Sequence, residues 1–241
     1  MAVARSGCPG RRTHHVRVSA PYVIFRSVLR LSSTKEVIDV SFRAAPRRKR
    51  LIDITGASFL LLLTAPLLAL IALAVAATSP GGCLYRQARA GQGGAAFTML
   101  KFRTMRSGAA AERDALAERN ESDGHLFKLQ DDPRVTPVGR LLRRCSLDEL
   151  PQLVNVLRGE MSLVGPRPLP VTDSDYTGEA RRRLAVLPGV TGPWQVSGRS
   201  ELSWDDMVRL DLDYVDNWRL RRDLSILART LPAVLAARGA H

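Results

Sequence analysis

Asp148 and Glu149 stand side by side in the run Ser146-Leu147-Asp148-Glu149-Leu150-Pro151-Gln152-Leu153. A carboxylate in such a pair is available as a nucleophile or as a metal ligand. Proline has no amide proton and is tolerated in a helix only in the first turn, so Pro151 places a helix start near Asp148. Leu150, Leu153, Val154 and Leu157 then recur at helical spacing, and Gly159 closes the element. A carboxylate at that position meets the positive end of the helix dipole, which predicts that Asp148 is held ionised. The plain alternative is an N-cap aspartate followed by an ordinary first-turn glutamate.

Cations in the neighbouring segments favour the chemical reading. Arg167 is locked between Pro166 and Pro168, so its guanidinium is presented from a stiff loop and suits bidentate binding of phosphate. Lys101 and Arg103 end an expected strand with two cations on one face, and Arg86 on the strand before it is a further candidate phosphate ligand. The chain has 4 lysines against 32 arginines, so a lysine two places from an arginine stands out. Each cation alone reads as a solvated surface charge; two acids with several rigidly placed cations read as a phosphoryl centre.

These residues need elements to hold them. The segments Cys83–Ala88 and Ala96–Arg103 predict two strands, with Gly91-Gln92-Gly93-Gly94 as the turn of a hairpin. Ala109–Arg119 predicts an alanine-rich surface helix, and Asp131-Asp132-Pro133-Arg134 a solvated turn whose acids are the weaker metal candidates. The loop Pro188–Gln195 carries one aromatic, Trp194, which is either part of a donor-nucleotide site or a buried residue of a crossover. Ser203 with Asp206 predicts a helix N-terminus, opening a helix through Trp204, Met207, Tyr214 and Trp218. The last helix lines up Leu224, Leu227, Leu231 and Leu235 beside several arginines, a pattern that suits a helix in a lipid interface.

From Leu51 to Ala77 the chain is almost wholly apolar, with Asp53 its only charge. As a helix it would measure about 40 Å against a bilayer core of about 30 Å, so a simple spanning helix is one reading. Pro66 argues for another, because it removes a helix hydrogen bond in mid-segment. Arg43, Arg47, Arg48, Lys49 and Arg50 precede the run while Arg86 and Arg89 follow it. Basic residues tend to stay cytoplasmic, so basic flanks on both sides suit a re-entrant helix that returns to the face it entered, with Pro66 as its hinge.

The net charge of +13 is concentrated in residues 1–50, which carry +10. That arm lacks the aromatic interleaving of a nucleic-acid site and precedes an apolar run, so anionic lipid is the better partner. It is no signal peptide, since Arg26 and Arg30 break its apolar patch. Cys8, Cys83 and Cys145 lie far apart, which supports neither a zinc site nor a disulfide framework. Cys145 reads as a small buried filler.

The segments KRLIDITGASFLLLLTAPLLAL, YRQARAGQGG, FTMLKFRTM, DDPRVTPVGRLLRRCSLDELPQLVNVLRGEMSLVGPRPL, LPGVTGPWQVSGRS and MVRLDLDYVDNW closely resemble, in order over roughly residues 47–238, the bacterial sugar transferases. Among these they resemble the monotopic polyprenyl-phosphate phosphoglycosyl transferases of exopolysaccharide assembly. The resemblance implies transfer of sugar 1-phosphate from a nucleotide diphosphate sugar, a UDP-sugar first, to polyprenyl phosphate with release of UMP. It implies Asp148 as nucleophile, Glu149 as the partner that supports Mg²⁺, and a re-entrant helix broken at a serine-proline pair. Here that pair is replaced by Thr64-Ala65-Pro66. Two other classes remain, a Mg²⁺-dependent phosphodiesterase using the same acids and a non-catalytic membrane anchor.

The expected fold is α+β and mainly helical: a basic, disordered arm over 1–46, a re-entrant membrane helix over 47–79, and a catalytic domain over 80–241. That domain would hold a small antiparallel sheet and amphipathic interfacial helices, and would face the cytoplasm from the bacterial inner membrane.

Overall fold

The computed structural model describes residues 45–121, 127, 129, 131–171, 178–198 and 202–236. The basic arm expected over 1–46, with Cys8, lies outside them except for Ala45 and Pro46. The described chain is mostly helical. A long apolar helix α1 (Arg47–Thr78) leads into the hairpin β1 (Leu84–Ala90) and β2 (Ala96–Phe102). Short helices α2 (Pro137–Arg144) and α3 (Gln152–Arg158) follow, then strands β3 (Ser162–Val164) and β4 (Gly189–Thr191). Two helices, α4 (Trp204–Asp216) and α5 (Leu220–Leu235), close the described chain.

β1 and β2 pair antiparallel, as expected, with Tyr85 opposite Lys101, Gln87 opposite Met99 and Arg89 opposite Phe97. Residues directly opposite share a face, so one face carries Tyr85, Gln87, Arg89 and Lys101 while Arg86 and Leu100 point the other way. The turn contains Gly93 and Gly94 at φ 70° and 77°, a backbone that side-chain-bearing residues adopt rarely. The outer edge of β2 is capped by a side chain of α3. Asn155, fully buried, accepts from the Leu100 amide (3.0 Å) and donates to the Thr98 carbonyl (2.7 Å).

A second sheet, β3 and β4 in parallel, was not expected. Its strands have three residues each, too short to leave a period in the sequence. Backbones cross here at very short range: a Cβ on Gly165 would lie 2.5 Å from the Leu187 carbonyl oxygen, and one on Gly189 would lie 2.1 Å from the Gly165 amide nitrogen. Only glycine fits at either position.

α1 meets the rest of the fold on both sides of Pro66. Before it, Asp53 accepts from Ser162 Oγ and the Leu163 amide, both at 2.9 Å. Lys49 donates to the Val164 carbonyl (3.0 Å) and pairs with the buried Asp223 (2.7 Å). Beyond Pro66, Ile71 and Val75 pack with Phe102 and Leu142. Between these two stretches Phe59, Leu62, Leu63 and Leu67 are exposed. The helix runs through Pro66, and Thr64 bends its hydroxyl onto the Leu60 carbonyl at 2.7 Å, just before the turn that lacks an amide donor.

Several expectations change. Residues 109–119 form turns and a 3₁₀ segment (Asp114–Arg119) in place of a helix; alanines with charges offer no apolar stripe to bury, and only Ala109 is buried. The Asp131–Arg134 turn is not solvated: Asp132 and Arg134 form a buried ion pair at 2.6 Å, and Arg134 also donates to the Ala109 carbonyl. Cys145 is half-buried at the C-terminus of α2. Trp194 is buried against Leu169, Trp204 and Met207, as the crossover reading has it. Ser203 caps α4 through the Asp206 amide, as expected. On α5, Leu224, Leu231 and Leu235 are exposed while Leu227 turns toward the core.

Candidate active site

Asp148 and Glu149 lie in a 3₁₀ turn (Leu147–Glu149) that runs into α3 through Leu150 and Pro151, so the α-helix proper begins at Gln152. Pro151 is its N-cap. Gly159 ends it in the left-handed conformation, as its sequence position requires. Ser146, at φ 53°, is the one described non-glycine residue with positive φ. This reversal after α2 turns the next residues inward, and Asp148 is left 7% exposed.

The helix-dipole expectation places the Asp148 carboxyl low, and its shift runs the other way. Burial is the largest influence on its carboxyl and the Glu149 charge the next; together they push it up to about 6, against the opposing pull of Lys101, Arg143 and Arg167. A helix of two turns has little dipole to set against burial. Among the described residues, none donates a hydrogen bond to the Asp148 carboxylate, so its lone pairs are not tied up.

Glu149 is bound tightly. Arg167 grips it as a two-pronged fork, Nη1 to Oε2 at 3.0 Å and Nη2 to Oε1. Burial would raise the Glu149 carboxyl, and the fork outweighs it, leaving it below the usual carboxylate range. Arg167 is therefore presented from its proline-flanked loop as expected, yet its partner here is a carboxylate rather than a phosphate.

Lys101 enters the site from β2 and lies over the Tyr85 ring, 5.3 Å from its centre. Burial, then the charges of Arg89 and Arg143, bring its ammonium down to about 8, with Asp148 and Glu149 pulling the other way. Two of the expected cations are elsewhere. Arg86 is exposed on the opposite face of the hairpin, one residue out of register. Arg103 leaves the strand and donates to the carbonyls of Gly82 (2.9 Å) and Gly81 (2.8 Å). It ties down the turn before β1, because the strand ends at Phe102 and alternation no longer aims its side chain.

Their places are taken by Arg89 and Arg143, which sequence reasoning missed. Arg89 shares the hairpin face of Lys101, a consequence of the register in which Tyr85 pairs with Lys101. Arg143 comes from the last turn of α2, five residues before Asp148, with Nε on Thr104 Oγ1 at 3.0 Å. Two carboxylates thus share a partly enclosed site with four cations, an excess of positive charge that suits a diphosphate.

A buried carboxylate with a raised pKa stabilises the fold only in its protonated form. The penalty for ionising Asp148 is fully present above about pH 6 and disappears below about pH 4. Asp148→Asn should therefore raise the thermal midpoint at pH 7.5, by a stability gain on the order of 2–3 kcal/mol. The gain should shrink steadily as the melt is repeated toward pH 4.

Comparison with known proteins gives this arrangement a lineage. The model of the bacterial sugar transferase family matches residues 44–237. The exopolysaccharide production protein ExoY of Rhizobium meliloti is 44% identical over 198 residues, covering 80% of this chain and 88% of that protein. The UDP-glucose:undecaprenyl-phosphate glucose-1-phosphate transferase of Caulobacter vibrioides is 44% identical over 207 residues, 82% of this chain and 73% of its own. The galactosyl transferase CpsE of Streptococcus agalactiae is 41% identical over 194 residues, but the chain spans only 43% of its length. Asp148, Glu149, Lys101, Arg143 and Arg167 all fall inside the matched region, and the chain belongs to the bacterial sugar transferases, a family of enzymes.

Proposed function

We propose that this protein transfers a sugar 1-phosphate from a UDP-sugar to a polyprenyl phosphate, undecaprenyl phosphate first, in exopolysaccharide synthesis. The observation that carries the reading is a buried carboxylate, Asp148, that accepts no hydrogen bond from the described residues and lies among cations exceeding the acids in number. The names of the Caulobacter relative and of the undecaprenyl-phosphate galactose phosphotransferase of Salmonella typhimurium, 42% identical over 202 residues, support the substrate pair.

In this reading a carboxylate oxygen of Asp148 attacks the phosphorus that bears the sugar. The bond from that phosphorus to the bridging oxygen breaks, and UMP leaves with the electron pair. A phosphate oxygen of the polyprenyl acceptor then attacks the aspartyl phosphate. The acyl-phosphate bond breaks, the polyprenyl diphosphosugar forms, and the Asp148 carboxylate returns. Arg143, Lys101 and Arg167 offset charge on the diphosphate, which would otherwise repel an incoming carboxylate.

The donor set fits Mg²⁺ in one mode. Mg²⁺ is commonly held by one or two carboxylates together with substrate phosphates, and among the described residues no third acid, histidine or cysteine joins Asp148 and Glu149 to form a closed cage. Glu149 would hold it, through oxygen lone pairs that the Arg167 fork leaves over, together with phosphate oxygens of the donor. When bound, the ion supplies Lewis-acid neutralisation of the diphosphate charge.

The membrane arrangement belongs to the same proposal. Residues before and after Pro66 rest on the same body, which supports a re-entrant α1 whose exposed middle, Phe59 to Leu67, enters the bilayer from the cytoplasmic side. Exposed Leu224, Leu231 and Leu235 on α5 suit the same lipid interface. The site then faces the cytoplasm at the inner membrane, where an acceptor presents its phosphate.

The testing assay combines purified full-length protein, undecaprenyl phosphate, Mg²⁺ and a panel of nucleotide sugars, with UMP release as readout. Asp148→Asn should release none while remaining folded; near-normal release would place the nucleophile elsewhere. Against pH, kcat/KM should form a bell. Asp148 loses its negative charge as pH falls through about 6, and Lys101 loses its positive charge as pH rises through about 8. Lys101→Arg should keep measurable activity and remove the alkaline limb.

For topology, single cysteines replace Arg48 and Arg86 in a chain lacking its own three. Both should label from the cytoplasmic side only, whereas labelling from opposite sides would restore a spanning helix.

A further inference from the structure

The loop that carries Arg167 is held in an unusual way. Prolines at 166 and 168 each remove an amide donor, and the carbonyls of this stretch do much of the anchoring. Four consecutive carbonyls each accept from a different donor. Pro166 accepts from the Gly189 amide (2.9 Å), Arg167 from Arg183 Nη2 (3.2 Å), Pro168 from Arg89 Nη1 (3.0 Å) and Leu169 from the Ala90 amide (3.2 Å). The donor on Arg167 itself is the one with the most support behind it. Arg183 is 4% exposed, and both its Nε and Nη2 reach Oδ2 of Asp211, at 2.8 and 2.6 Å. Asp211 is fully buried on α4, and the Arg183 guanidinium lies 5.9 Å from the centre of the Trp204 ring.

Nothing in the chemistry of the site requires a buried ion pair at this place, and burying one seldom stabilises a fold more than apolar packing would. Its geometry suits another purpose. The flat Arg183 fork, fixed by Asp211 and Trp204, fixes in turn the carbonyl of the residue whose side chain grips Glu149.

We infer that Arg183 and Asp211 are positioning residues for Arg167, setting through its main chain where its guanidinium meets Glu149 and the donor diphosphate. The inference rests on the proposed function for its catalytic consequence, while the structural link from Arg183 to Arg167 stands apart from it. Lysine at 183 keeps the charge opposite Asp211 but loses the planar fork that reaches both partners at once.

The experiment is a double-mutant cycle in the full chain. Arg183→Lys and Asp211→Asn are each made with Arg167 intact and with Arg167→Lys, and assayed with UDP-glucose and undecaprenyl phosphate. With Arg167 intact, each should lower kcat/KM by ~10-fold; with Arg167→Lys, each should lower it by less than about twofold, the non-additivity of residues that act through one another. Equal losses in both backgrounds, or no loss in either, would overturn the inference.

A second readout needs no nucleotide sugar. The side-chain Nε–H resonance of Arg167, assigned by its loss in Arg167→Lys, should move in Arg183→Lys while that of Arg134 in its separate buried pair stays in place. An unmoved Arg167 resonance would overturn the inference. Should the wild-type chain turn over no nucleotide sugar, the functional proposal falls and this resonance alone decides the positioning role.

Discussion

Two neighbouring carboxylates taken out of water must be compensated, and this demand organises the rest of the protein. Neither Asp148 nor Glu149 has a neutralising partner within its own turn. Arg89 from β1, Lys101 from β2, Arg143 from the end of α2 and Arg167 from the loop after β3 supply the charge instead. The compensation is uneven. Glu149 receives the Arg167 fork and stays ionised, while Asp148 receives only more distant charge and sits near the midpoint of its titration at about pH 6. One acid is thereby held as an anion while its neighbour is left free to change charge near pH 6, the divergence expected where adjacent titratable groups differ in environment.

Each supporting element has a part in holding a cation in place. The β1–β2 register puts Arg89 and Lys101 on one face, and Asn155 bonds the β2 edge to α3, the helix that follows the acids. Gly165 and Gly189 let two backbones cross closely enough to fix the base of the Arg167 loop. α1 joins the same frame through Lys49 and Asp53, which bind β3 just before that loop. α1 and the Arg167 loop thus share one short strand.

Much of this was legible in the sequence because it depends on local pattern. The apolar run of α1, the glycine turn of the hairpin, the Gly159 stop and the Ser203 cap all follow from local chemistry. What escaped was set by partners distant in the chain. That Arg89 and not Arg86 shares a face with Lys101 depends on the pairing register of two strands, which neither strand reveals alone. Arg103 was expected in the site and instead closes a turn. The Asp131–Arg134 turn reads as solvated from its sequence because nothing local marks the Asp132–Arg134 pair as buried. A dipole alone would lower the Asp148 carboxyl; burial, a tertiary property, raises it.

The central claim is that Asp148 carries the sugar phosphate covalently, and trapping it is the most direct measurement. Full-length protein is mixed with UDP-glucose labelled with ³²P at the β-phosphate and Mg²⁺ in the absence of polyprenyl phosphate, quenched in acid and digested. The account predicts label on the peptide containing Asp148, released when undecaprenyl phosphate is added before the quench and absent from Asp148→Asn. UMP formation only upon addition of acceptor, with no label on the protein at any time, would contradict it and assign the attack to the lipid phosphate itself.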